Sequence, residues 1–170
     1  MKTNATRQLD KLAIAYELRD YEVDPDDLSA LKVASQIGLP PSRVFKTLCA
    51  KGDGSAIVLA VVPGDGELDL KALARLVGQR RMELVPVSQL QQLTGYIRGG
   101  VTALACKKNY PVYLDESALS HPVIAVSAGV RGTQILLAPQ DYLRSTMATC
   151  GTIARERNAS GSPTPNKQTP

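Results

Sequence analysis

The sequence predicts a single α+β domain in which short helices surround a mixed or largely antiparallel central sheet. Three observations point there. β-prone runs over 44–50, 55–62, 110–114, 122–126 and 133–138 are interleaved with helical patterns too short to build a bundle. The run 56–62 is continuously apolar, as a central strand covered on both faces would be. Finally, 170 residues at 44% hydrophobic content suffice for one core, and with aromatics at 4% that core must be built from Leu, Val, Ile and Ala.

The elements follow in chain order. Leu9, Leu12, Ala13 and Tyr16 recur at helical spacing and predict a helix over 4–15, capped by Thr3 or Asn4. Residues 16–23 shift towards alternation and read as a strand, ended by the turn Asp24-Pro25-Asp26-Asp27. Ser29 caps a short helix whose apolar face is Leu31, Val33, Ala34 and Ile37; Gly38 and Pro40-Pro41 stop it. The runs 44–50 and 55–62 form a hairpin through Gly52-Asp53-Gly54. Pro63-Gly64-Asp65-Gly66 breaks the second run. Asp69 then caps a helix with Leu70, Leu73, Ala74, Leu76 and Val77 inward, ended by Gly78. A strand over 80–85, a short helix over 86–93 and a glycine-rich stretch over 94–101 come next. Gly129 and Gly132 turn the chain into the strand at 133–138, and Pro139 opens a last helix to about residue 147. From residue 151 the composition turns to Ser, Pro, Thr, Asn and Gly without apolar periodicity. The expected organisation is one domain over 1–150 and a disordered tail over 151–170.

Composition excludes several classes of function. Three cysteines at wide spacing (Cys49, Cys106, Cys150) are not a secreted disulfide framework. Charges interrupt every apolar stretch of the N-terminal segment, and no run approaches the ~20 residues needed to cross a bilayer. A soluble, reducing, cytoplasmic setting is expected, with no membrane association. Metal-ligand spacing is absent, as is a phosphate-binding loop ending in Gly-Lys-Ser/Thr, so neither a metal nor another cofactor is expected. The single histidine, His121, precedes Pro122 and reads as structural, which leaves a Ser-His or Cys-His nucleophile without a base. The net charge of +4 leans mildly towards an anionic partner, and Arg80-Arg81 and Lys107-Lys108 are either solvated faces or phosphate contacts.

Two features stand out. Lys46 interrupts an apolar strand: it is either an edge or solvent-face residue, or a cation aimed into a cleft. Gly99-Gly100 sits in Gly95-Tyr96-Ile97-Arg98-Gly99-Gly100-Val101-Thr102. It is either a tight turn needing positive φ, or a place where backbone amides face a ligand oxygen.

The ordered set Val44-Phe45-Lys46-Thr47-Leu48, Leu68-Asp69-Leu70-Lys71, Thr94-Gly95-Tyr96 with Gly99-Gly100, and Val126-Ser127 with Gly129, Arg131 and Gly132 resembles the YbaK/EbsC family. Pro139-Gln140-Asp141-Tyr142-Leu143 fits as well, and the resemblance covers about residues 5–150. It implies an editing-domain fold related to that inserted in bacterial prolyl-tRNA synthetases. The implied activity is a trans-editing deacylase that clears cysteine from Cys-tRNA(Pro). Its implied partners are the 3′ acceptor end of aminoacyl-tRNA and prolyl-tRNA synthetase. A pocket sized for proline gains only ~1–3 kcal/mol from small apolar differences, so a second, hydrolytic site supplies the missing selectivity.

By the same resemblance Lys46 binds the terminal adenosine or its phosphates, and the amides of Gly99 and Gly100 face the ester carbonyl. Tyr21, Ser29, Thr47, Thr102, Ser127 and Gln134 surround the substrate. The implied nucleophile is the substrate's own thiol, leaving as a cyclic thiolactone. Ser29 stands where an aromatic is frequent in the family, Ala103 where proline follows the Ser/Thr, and Gln134 where YbaK has an acid. The amino-acid pocket is where this chain departs from the pattern. The alternatives are a deacylase for another aminoacyl group such as Ala-tRNA(Pro), and a non-catalytic protein that binds the tRNA end or the synthetase.

Overall fold

The computed structural model describes residues 2–157. Its centre is the hairpin of β2 (Phe45–Lys51) and β3 (Ile57–Pro63), within a five-stranded mixed sheet. The sheet order is β5-β2-β3-β6-β9, where β5 is Glu83–Leu84, β6 is Val112–Asp115 and β9 is Thr149–Gly151. β3–β6 and β6–β9 are parallel and the other pairs antiparallel. A three-stranded antiparallel sheet, β1 (Glu17–Asp20), β8 (Thr133–Leu137) and β7 (Ile124–Ser127), approaches the first through a single bridge between Val44 and Ala125.

The pleat divides the hairpin between two cores. Phe45 and Cys49 of β2, with Leu59 and Val61 of β3, enter the main core with Ile124, Ile135 and Tyr142. Leu48 and Ala50, with Val58, Ala60 and Val62, face the other way against α3 (Leu70–Val77). Both faces of β3 are therefore dry, which is why its sequence is continuously apolar. Truncating a fully buried leucine there, such as Leu48 or Leu59, would cost about 2–5 kcal/mol.

Helix ends follow the local rules. The Thr3 side chain accepts from the Thr6 amide, and Thr6 reciprocates, at the start of α1 (Asn4–Lys11). Ser29 and Asp69 cap α2 (Ala30–Ile37) and α3, which Gly38 and Gly78 end at φ 75° and 85°. The short α4 (Leu90–Thr94) leads to Gly95, and α5 (Pro139–Thr146) starts at its proline.

The expected boundary at residue 150 falls too early. The chain continues as β10 (Ala154–Glu156), which pairs antiparallel with β4 (Gly66–Leu68), a strand where the sequence reads only as a break. Ile153 is fully buried between α3 and the sheet. Asp115 staples this segment down: one carboxylate oxygen accepts from the amides of Ile153 at 3.0 Å and Ala154 at 2.9 Å. Its other oxygen accepts from the Ser117 amide and hydroxyl, at 3.2 and 2.5 Å. Residues 158–170, the rest of the expected tail, lie outside the described residues.

Candidate functional site

A small cleft lies across the start of β2, walled by α2, by the glycine loop at 99–101 and by the edge of the β7–β8 pair. Five of the predicted site residues border it: Lys46, Thr47, Gly99, Ser127 and Gln134. Ala30 and Val33 of α2 close the apolar side. Its volume is about 20 Å³, which is room for about one water.

Lys46 is neither an edge nor a solvent-face residue. It sits on the second strand of the sheet at 4% exposure. Its ammonium donates to the Gly66 carbonyl at 3.1 Å, so the pairing of β4 with β10 sets the position of its partner. Burial pushes the amine down to about 8; Arg157 adds to this, while Glu67 and Asp65 oppose it. The amine therefore remains mostly protonated at pH 7, with its charged form disfavoured by burial.

Gln134 is 5% exposed, and its side-chain oxygen has no hydrogen-bond partner among the described residues. A buried unpaired acceptor costs about 1–3 kcal/mol. Gln134 is also one of the residues that border the cleft. The Ser127 hydroxyl is occupied locally, accepting from the Gly129 amide at 3.1 Å.

The glycine loop divides its two glycines between different tasks. Gly99 has φ 87° and borders the cleft. The Gly100 amide donates to the Ile97 carbonyl at 2.9 Å. It closes a turn and does not face the cleft, which corrects the expectation for that residue. Gly100 is small for another reason: a β-carbon would sit 3.3 Å from the backbone of Val130 and Arg131. Arg131 clamps the loop, its Nε donating to the Arg98 carbonyl at 2.8 Å.

Three more expected contacts do not border the cleft. Tyr21 is half-buried beside α2, with its amide bonded to the Gly132 carbonyl. Ser29 is spent on its cap, accepting from the Lys32 amide at 3.2 Å, and reaches the cleft only by fixing where α2 begins. Thr102 is fully buried behind the loop, where its hydroxyl accepts from the Leu104 amide. The residues that sequence reasoning missed are Gly66, Arg131 and Asp115. Only Arg131 carried a signal, as part of the family pattern.

Lys46, Thr47, Ser127 and Gln134 border the cleft, and among the described residues no Asp, Glu, Cys or His does. Cys49 is buried in the core and its thiol is pushed up to about 11 by burial. Cys106 lies elsewhere and is pushed up to about 12, also mainly by burial. Among the described residues no cluster of three His, Cys, Asp or Glu could hold a metal, and no helix is long and apolar enough to cross a membrane.

This α+β architecture has a solved counterpart. A structure provisionally described as a trans-editing enzyme for prolyl-tRNA synthetase matches 91% of this chain and 99% of its own, with TM-score 0.78 and 23% identity. That likeness defines the fold. Sequence similarity defines the family: residues 24–145 match the aminoacyl-tRNA editing domain, and the chain belongs to that family. EbsC of Enterococcus faecalis, provisionally named a Cys-tRNA(Pro)/Cys-tRNA(Cys) deacylase, is 43% identical over 145 residues, 85% of this chain and 88% of EbsC. ProXp-y of Escherichia coli, named a multifunctional Ser/Thr-tRNA deacylase, is 28% identical over 103 residues, 58% of this chain and 62% of its own length.

Proposed function

We propose that this protein is a trans-editing hydrolase that releases the amino acid from mischarged tRNA, with Cys-tRNA(Pro) as its first substrate. The observation that carries the reading is the convergence of Lys46, Thr47, Gly99, Ser127 and Gln134, distant in sequence, on one slot. Family membership and the similarity to EbsC support the same chemistry.

The slot as it stands is too small for an aminoacyl ester, so entry requires α2 and the glycine loop to part. Lys46 then fixes the terminal ribose or phosphate and stabilises the oxyanion that develops on the ester carbonyl, helped by the Gly99 amide. Gln134 accepts a hydrogen bond from the substrate ammonium, and Thr47 and Ser127 border the side chain.

No wall residue is an activated nucleophile, which favours attack by the substrate's own thiol. Its sulfur bonds to the ester carbonyl carbon, the carbon–oxygen bond to the ribose breaks, and the thiol proton ends on the ribose hydroxyl. The product is a four-membered thiolactone that water opens to cysteine. An amino acid without a thiol would have to use water directly. We further propose a cytoplasmic setting, with prolyl-tRNA synthetase as the protein partner that supplies the mischarged tRNA.

The test is hydrolysis of tRNA(Pro) carrying Cys, Ala, Ser or Pro by the native chain and by Lys46→Ala. Rapid loss of Cys alone, removed by the substitution, is expected. Preference for Ala or Ser would keep the deacylase class and discard the thiol mechanism. No turnover on any species would leave a protein that only binds the tRNA end or the synthetase.

A further inference from the structure

A second cleft, about 800 Å³, opens between α1, the loop at 103–111 and the end of α5. Arg7 and Lys11 lie one helical turn apart on one wall, and Lys108 stands on the other. Among the described residues no Asp or Glu borders it. None of the three cations is in an ion pair among the described residues; the Arg7 guanidinium bonds only to the side chain of Asn4. Asp10, the one carboxylate on α1, is taken up by Lys2 at 2.6 Å and Tyr16 at 3.0 Å.

The walls are fixed in place. Gln8 stitches all three elements together, accepting from the Ala105 amide at 2.6 Å and donating to the Ser145 carbonyl at 2.9 Å. The cleft is also joined to the candidate active site by one loop. Gly99 and Val101 border the small slot, while Ala103 and Ala105 border the basic cleft.

We infer that the basic cleft binds the phosphodiester backbone of an RNA strand whose end reaches the slot, which makes it the seat of the acceptor stem. This inference rests on the proposed function for the identity of the RNA, but not for the charge complementarity. Three cations without an ion pair among the described residues, around an open groove to which those residues bring no carboxylate, match a ligand with one negative charge per nucleotide and no requirement for base recognition. Arg80 and Arg81, the other basic pair in the sequence, border neither cleft.

The experiment uses the full chain and a fluorescent RNA hairpin that reproduces an acceptor stem but lacks the single-stranded 3′ end. Deacylation plays no part in the readout. Affinity is measured by anisotropy between about 50 and 200 mM salt. The native chain is expected to bind with a steep salt dependence. The variant combining Arg7→Gln, Lys11→Gln and Lys108→Gln is expected to bind at least tenfold more weakly, with the log–log salt slope reduced by about 3. The variant combining Arg80→Gln and Arg81→Gln serves as the comparison and should retain the native slope. Equal binding by native and triple variant, or equal loss in the Arg80/Arg81 variant, would overturn the inference. Native binding here, together with no turnover of any charged tRNA in the separate hydrolysis assay, would defeat the proposed function and leave this cleft standing.

Discussion

The two clefts on either side of the 99–105 loop are built on opposite physical terms. The slot at Lys46 is narrow, and it is bordered by a lysine whose burial disfavours its charge and by an amide whose oxygen has no partner among the described residues. The basic cleft is about forty times larger by volume, and its cations are exposed to water. Lys46 and Gln134 are buried polar groups that weaken the fold, whereas the exposed cations of the groove cost almost nothing. If the proposed function holds, polar groups that lower stability mark the reacting end more sharply than cleft size does.

The sharpest way to break this comparison is Lys46→Met. Deacylation should fall by about 10³-fold, near the upper end for removal of one electrostatic stabiliser. Stability should move the other way. The free amine titrates near 10.5 and the buried one near 8, so between these values the unfolded chain holds more protons and stability rises with pH. Below 8 the penalty is complete, about 3 kcal/mol. Methionine removes it but leaves the Gly66 carbonyl unpaired at a cost of about 1 kcal/mol. A net gain of about 1–2 kcal/mol in urea unfolding at pH 7 is expected, shrinking by pH 10. A loss of stability at pH 7 would show that the amine is well accommodated.

Asp115→Ala should be a strongly damaging change outside both clefts, at about 2–4 kcal/mol. It leaves the buried Ile153 amide unpaired, frees the segment leading to β10 and loosens the strand that carries the acceptor of Lys46. Turnover should fall alongside stability, and Asp115→Asn should recover part of both. Turnover at the native level in folded Asp115→Ala would mean that β10 does not position Lys46.

Much of the fold was legible because its signals are local. Ser29 and Asp69 as caps, Gly38 and Gly78 as stops, and the apolar run of β3 each follow from a handful of neighbouring residues. β4, β9 and β10 were not legible. Strands of three residues carry too little alternation to register, and β4 and β10 exist because they find each other across some ninety residues. The site was half legible for the same reason. Lys46 was conspicuous as a charge in an apolar strand, and the family pattern gathered Thr47, Gly99, Ser127 and Gln134. Nothing nearby in sequence shows that the Lys46 partner is a main-chain carbonyl twenty residues on, or that the Gly100 amide is used in its own turn. The basic cleft was visible only as Lys107-Lys108, since Arg7 and Lys11 join it through tertiary packing alone.

The glycine loop between the clefts gives an intermediate effect. Gly99→Ala places a β-carbon in a left-handed conformation, 3.2 Å from Arg131 Nε and 3.4 Å from Leu28 Cδ1. The expected cost is about 1–2 kcal/mol in thermal or urea unfolding. Because Arg131 must give way, the loop should shift and turnover should fall more than stability alone explains. Native turnover in the Gly99→Ala variant would mean that the loop's position does not govern the slot.

The smallest effect sharpens the comparison from the other side. Arg7 and Lys11 are like charges at i and i+4 on α1, an arrangement that is mildly unfavourable in an exposed helix. Lys108 is exposed and has no ion pair among the described residues, and none of the three side chains enters a core cluster. Replacing all three by glutamine should therefore leave stability within about 0.5 kcal/mol of native, on the favourable side at low salt, with the difference vanishing as salt screens the repulsion. Urea unfolding at two ionic strengths reads this directly. A loss above about 1 kcal/mol would mean that these cations hold the cleft walls together, and the groove would then resemble the slot in being maintained at the expense of the fold.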